Sequence, residues 1–322
     1  GALHPVVQRV RAHHVQPLDE ARGDRVGDVE IRTECGADVH GADGTAVRGR
    51  VGRGVTVATM PSIDLVAVER AADQLFAPAA AHGTSLALVV MQSGDVVFER
   101  YGHQPDTVFG PGGPVTAEST LVSWSMAKSI THAAVGILVG DGRLHPEQPA
   151  AVPQWQGTPK AAITLQHLLN MRPGLQFVED YVDDSVSHCL EMLYGSGKDD
   201  MAAYAASLPL AHAPGSHWNY SSGTTNIISR IVGDVVGGGR EGMEAFLRDR
   251  LFAPAGMHSA VPKFDDAGTF VGSSFVYATA RDFAKFGDLY RNDGVAGGVP
   301  VSYTHLRAHE TDSYLVCRLL LE

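Results

Sequence analysis

With 322 residues and 44% hydrophobic content, the chain is long enough for one or two domains and can fill a substantial core. A formal net charge of −11 argues against a nucleic-acid partner, whose binders present a basic face. No run of 18 or more apolar residues occurs, so no membrane-spanning segment and no membrane partner are expected.

The first stretch, residues 1–59, lacks Ser, Asn, Lys, Phe, Tyr and Trp and carries eight Arg. Without aromatic residues it can hardly bury a core. It reads either as translation of GC-rich DNA upstream of a start at Met60 or as a disordered extension. From Asp64 the apolar spacing predicts a helix over 64–79. Two strands at 85–92 and 95–101 should then flank the Ser93-Gly94-Asp95 turn.

A mostly helical stretch is expected from about 120 to 256, and it opens on Ser125-Met126-Ala127-Lys128. Ser129, Ile130, Ala133, Ala134, Ile137 and Leu138 continue a helical apolar pattern that Gly140 and Gly142 end, which puts Lys128 in the first turn of a buried helix. Residues three apart on a helix share a face, with Cβ atoms about 5–6 Å apart. Serine is a poor nucleophile until a neighbouring base takes its proton, and a buried lysine can serve. The same tetrapeptide also suits an ordinary helix cap followed by a solvated lysine.

Further along, a Thr164-capped helix through Asn170, a helix from about Asp199 to Ser207 stopped by Pro209, and one from about Gly242 to Phe252 are expected. Pro214-Gly215 marks a turn before Asn219-Tyr220-Ser221-Ser222, and Thr224 or Thr225 can cap the helix through Ile227, Ile228, Ile231 and Val232. Tyr220 therefore sits on a loop at a helix entrance. Beside an ammonium a phenol favours its charged form and can relay a proton. A half-buried tyrosine satisfied by backbone is the plainer alternative. Last comes a helix over 280–291, capped by Thr279 with Asp282 in the capping-box position.

Other motifs are weak. No His-Glu-x-x-His or comparable ligand spacing occurs, so neither a metal nor any other cofactor is expected. Gly195-Ser196-Gly197-Lys198 lacks P-loop spacing, no Gly-x-Ser-x-Gly elbow exists, and Gly237-Gly238-Gly239 follows a helix and so suits a cap or loop. Of three cysteines, Cys35 and Cys317 fall in the atypical ends, leaving Cys189, which excludes a disulfide framework. With no signal-peptide pattern after Met60, a cytoplasmic location is expected.

Ser-x-x-Lys at 125–128 followed by Tyr-x-Ser at 220–222 resembles the serine hydrolases of the class C β-lactamase, D,D-peptidase and esterase superfamily. Three further stretches, Ile163–Leu175, Glu179-Asp180-Tyr181 and Ala278–Gly287, are similar to its 6-aminohexanoate-dimer (nylon-oligomer) hydrolase branch. The resemblance implies an α/β (α+β) fold, with an antiparallel sheet flanked by helices, a mostly helical lobe, and the site between them. It divides the chain into a single serine-hydrolase domain over 60–300, with 60–119 and 265–300 in the α/β lobe and 120–264 in the helical lobe. The end, 301–322, resembles translated sequencing adapter. The family's Lys/His-Thr-Gly-like strand, which lends one oxyanion-hole amide beside that of the nucleophile, would lie beyond residue 300, so the C-terminal strands are expected to be truncated and the fragment unstable or inactive.

As the resemblance implies, Ser125 is the nucleophile, Lys128 and Tyr220 handle its proton, and the product is an acyl-enzyme. The partner is a small-molecule amide or ester. Tyr181 would contact the substrate amide, and Asp183 or Asp184 would lie near a substrate amino group, unless these belong to an ordinary loop. Ser222 stands where many relatives have Asn, which weakens the case for β-lactam recognition. A β-lactamase or D,D-carboxypeptidase and a catalytically silent ligand-binding homologue remain the alternatives.

Overall fold

The computed structural model describes residues 63–77, 83–107, 110–181 and 186–302. The expectations for residues 1–59, for Asp183 and Asp184, and for the 301–322 tail beyond Ser302 lie outside them.

Helix α1 (Leu65–Leu75) starts at Asp64, whose carboxylate accepts from the Val66 and Ala67 amides. It is shorter than the expected 64–79. Pro78 restricts the residue before it and disfavours helix there. Strands β1 (Ala87–Gln92) and β2 (Asp95–Tyr101) form the expected hairpin, with Gln92 opposite Asp95. Ser93 and Gly94 both have positive φ, 54° and 92°, the pattern of the two-residue turn whose twist matches that of paired strands. Short strands β3 (His103–Gln104), β4 (Gly113–Pro114) and β5 (Thr120–Val122) lead to a 3-10 turn at Trp124–Met126 and then to helix α2 (Ala127–Gly140).

Helix α2 is the axis of the helical part. Eleven of its residues are buried, among them Ile130, Ala134 and Leu138 with no exposure. Around it come α3 (Leu165–Leu169), α4 (His188–Tyr194), α5 (Met201–Ser207), α6 (Ser222–Val236) and α7 (Gly239–Leu247). Four of these N-termini have a chemical reason: Thr164 and His167 form a reciprocal capping box for α3, while the Ser187, Asp200 and Ser221 side chains cap α4, α5 and α6. Ser221, rather than Thr224 or Thr225, caps α6, since its oxygen accepts from the Thr224 amide at 2.9 Å. Helix α4 was not foreseen; its signal is Ser187 followed by a short apolar run. Helix α7 begins at Gly239, ahead of the expected Gly242, and passes into a π-helical turn over Arg248–Phe252.

Strands β6 (Val261–Pro262) and β7 (Val276–Thr279) complete a three-stranded sheet in the order β5-β7-β6, and α8 (Ala280–Arg291) packs against β1. A last hairpin joins β8 (Val295–Ala296) to β9 (Val299–Pro300). All strand pairing among the described residues is antiparallel, divided over four small sheets. Helices and antiparallel strands together give the mixed fold expected. Among the described residues no helix is long and apolar enough to cross a membrane.

Asp282 differs from its expected role. The Thr279 hydroxyl caps α8, but the Asp282 carboxylate turns instead to Ser259, accepting from its amide and hydroxyl at 2.7 Å each, and to Lys285 at 2.9 Å. Ser259 in turn receives the Thr279 amide that a capping box would have given to Asp282. Burial works against the Asp282 charge, yet the hydrogen bonds from Ser259 and Lys285 outweigh it and hold the carboxyl below its ordinary value. A depressed folded-state value stabilises the fold above about pH 4, a contribution lost as pH falls through the folded value. Asp282→Asn is expected to cost roughly 1–3 kcal/mol at neutral pH. Thermal melts should then show the wild-type advantage over Asp282→Asn shrinking on acidification from about pH 6 to about pH 3.

Candidate active site

Strand β5 ends at Val122, and the following Ser123 is held by three hydrogen bonds to the start of β7 and the residues before it. Its amide donates to Val276 O at 2.8 Å, its hydroxyl donates to Ser274 O at 3.0 Å, and the same oxygen accepts from the Val276 amide at 3.0 Å. The next residue, Trp124, has φ of 43°. A bulky side chain in the left-handed region costs on the order of 1–3 kcal/mol and persists only where its surroundings over-determine it. The strained turn reverses the chain from strand into helix and leaves Ser125 on the 3-10 turn immediately before α2. Three residues on, Lys128 lies in the first turn of α2 and is 4% exposed.

The Lys128 amine is satisfied by atoms from three chain segments. Its Nζ lies 3.0 Å from Ser125 Oγ, 3.0 Å from Ser222 Oγ and 3.1 Å from the carbonyl oxygen of Ser273. It also stands 4.8 Å from the centroid of the Tyr220 ring. Among the described residues no hydrogen bond joins the Tyr220 hydroxyl to Ser125 or Lys128, so in this structure the tyrosine meets the amine through its ring face. The solvated lysine of the plainer reading is not what the fold builds.

Helix α6 supplies Ser222 because Ser221 takes the capping position, which leaves Tyr220 at the helix entrance and Ser222 as the first helical residue. Ser222 is 2% exposed and belongs to a second polar cluster. Its hydroxyl donates to Glu179 Oε1 at 2.7 Å and its amide to Glu179 Oε2 at 2.5 Å. Tyr181 adds its own hydroxyl to Glu179 Oε1 at 2.9 Å and lies 3.3 Å from Cys189 Sγ. Burial pushes the Tyr181 phenol far above its usual range, with Cys189 and Glu179 adding to the effect. Burial, then the Glu179 charge, likewise raises the Cys189 thiol. Tyr181 thus connects to the lysine through Glu179 and Ser222, while half its surface remains open to solvent.

Ser273 owes its placement to Gly272. Thr131 on α2 donates to Gly272 O at 3.0 Å, Asn226 on α6 accepts from the Ser273 amide at 3.2 Å, and Ser123 holds Ser274. A Cβ on Gly272 would stand 2.1 Å from Thr131 Oγ1 and 2.4 Å from Ser229 Oγ, so only glycine lets both helices approach this backbone.

Glu179, Asn226, Gly272 and Ser273 were not singled out as site residues from sequence. Glu179 lay within a stretch noted for its family likeness. The other three carry no local signal, because their partners are 40 or more positions away. No group of three or more potential metal-ligating side chains occurs among the described residues.

Gly272→Ala is expected to destabilise the chain by about 1–3 kcal/mol through overpacking. It should also slow any reaction at Ser125, since the Ser273 carbonyl would be displaced from Lys128. Comparing melting temperature with the rate of covalent labelling at Ser125 checks both parts, and an unchanged melting temperature would contradict the crowding.

Comparison with known proteins shows the family and the fold. The Beta-lactamase family model matches residues 72–311. The chain is 28% identical over 183 residues to the 6-aminohexanoate-dimer hydrolase of Paenarthrobacter ureafaciens, covering 54% of this chain and 46% of that protein. A Bacillus anthracis structure provisionally named as a 6-aminohexanoate-dimer hydrolase superposes with a TM-score of 0.57 at 22% identity, covering 69% of this chain and 58% of that one. The octameric penicillin-binding protein homologue from Pyrococcus abyssi gives a TM-score of 0.55 at 19% identity, with 77% and 60% covered. At these identities the structural likenesses speak for the fold alone, and the matched region is less than two thirds of each relative's length. With a family match across more than half its length and the matching fold, this chain belongs to the Beta-lactamase family.

Proposed function

We propose that the protein is a serine hydrolase that cleaves a small amide or ester through an acyl-enzyme intermediate. The observation that carries the reading is the 3.0 Å approach of a buried lysine Nζ to Ser125 Oγ. That is the nucleophile–base distance such chemistry needs. Ser125 Oγ attacks the carbonyl carbon while its proton passes to Lys128 Nζ. On collapse of the tetrahedral intermediate the bond to the leaving amine or alcohol breaks, and that group takes up a proton relayed by Lys128 and Tyr220. Water then adds to the acyl carbonyl, Ser125 Oγ is released with its proton restored, and the acid departs.

The Ser125 amide is the natural donor to the developing oxyanion, sitting at the start of a helix where backbone N–H groups favour negative charge. A small linear amide or ester is preferred over a β-lactam because Ser222 occupies the position of the usual amide side chain and is already committed to Lys128 and Glu179. The 28% identity to a 6-aminohexanoate-dimer hydrolase supports the same preference. A cytoplasmic setting rests on cysteine usage, since Cys189 is a free and buried thiol.

Ser125→Ala is expected to abolish both hydrolysis and labelling by a fluorophosphonate, and Lys128→Ala to slow labelling by roughly 10²–10⁴. Tyr220→Phe keeps the ring over the amine and removes only the hydroxyl, so a loss of about tenfold or more would report its share in proton transfer. Turnover retained by Ser125→Ala would reject Ser125 as the nucleophile.

A further inference from the structure

We propose that Glu179 is a positioning residue that fixes the direction of proton flow at Lys128, acting through the Ser222 hydroxyl. The inference rests on the reading of Lys128 as the base and deepens it. A neutral lysine amine has two N–H bonds and one lone pair. For the lone pair to receive the serine proton, both N–H bonds must be engaged elsewhere. The Ser273 carbonyl, 3.1 Å away, can only accept and engages one. Ser222 Oγ, 3.0 Å away, is the partner left for the other, and a hydroxyl can either donate or accept.

Glu179 removes that ambiguity. Its Oε1, 2.7 Å from Ser222 Oγ, accepts the hydroxyl's hydrogen bond, so the oxygen turned toward Lys128 is an acceptor. Both N–H bonds of the neutral amine are then held by Ser273 and Ser222, and the remaining tetrahedral direction, toward Ser125 Oγ, carries the lone pair. Were the Ser222 hydroxyl free to rotate, it could donate to the amine and occupy the lone pair that must receive the proton.

Glutamine at 179 cannot reproduce this arrangement. Oε2 accepts from the Ser222 amide and Oε1 from the Ser222 and Tyr181 hydroxyls. An NH₂ in the first place would face an N–H donor. In the second it would donate to Ser222 Oγ and drive that hydroxyl's proton toward Lys128.

The test is a double-mutant cycle on the full chain, with a fluorophosphonate as probe and the maximal labelling rate at Ser125 separated from the half-saturating concentration. Glu179→Gln should lower the maximal rate on the order of 10–100-fold and leave the half-saturating concentration within about twofold. In the Ser222→Ala background, where the hydroxyl it acts through is gone, the same substitution should change the rate less than about threefold. Equal losses in both backgrounds would overturn the proposal, since Glu179 would then act by anchoring the loop to the Ser222 amide. A loss confined to the half-saturating concentration would overturn it as well. If Glu179→Gln does not fold, Glu179→Asp retracts the carboxylate and is held to the same two comparisons. A folded wild-type chain that takes no label at Ser125 removes the hydrolase reading and this inference with it.

Discussion

A primary amine enclosed by protein must find polar partners or lose several kcal/mol of hydration without return. Lys128 finds them in Ser125 on its own turn, Ser222 at the start of α6, the Ser273 backbone ahead of β7 and the face of Tyr220. Three stretches of chain thus converge on one nitrogen. Because each partner is fixed by its own element, satisfying the amine and assembling the site are one event.

The surroundings of Ser273 show how that convergence is enforced. Helices α2 and α6 press so close on Gly272 that no side chain fits, and their Thr131 and Asn226 hold the backbone on either side. On the opposite flank Ser123 ties the end of β5 to the same segment, and the positive φ of Trp124 then swings Ser125 toward the amine. Strain of this kind is stable only inside a rigid frame, and it is spent here at the residue before Ser125. Rigidity at Gly272 and strain at Trp124 serve one end, a fixed distance between the Ser125 hydroxyl and the Lys128 amine.

Polar groups are then layered outward from the lysine. Ser222 joins the amine to Glu179, and Glu179 gathers Tyr181, with Cys189 beside it. The outermost ring, Tyr181, is half open to solvent, so the network runs from a buried amine to the protein surface. Networks of this sort stay favourable only when every member is satisfied, because the low local dielectric that strengthens their hydrogen bonds also penalises a missing partner.

Sequence alone determined the local features, each set by residues a few positions apart. The Ser93-Gly94 turn, the Thr164 and Thr279 caps, the buried helix after Lys128 and the Ser-x-x-Lys pair itself are of this kind, since turn chemistry, capping and helical periodicity act within one or two turns of chain. Ser221 as the α6 cap, the diversion of Asp282 to Ser259 and the unforeseen α4 mark where several local choices were open and packing selected among them. Only the tertiary structure brought Glu179, Gly272 and Ser273 to the site, because their roles are hydrogen bonds and close contacts across 40 to more than 140 positions, and no spacing rule along a chain encodes which distant backbone will meet a buried amine.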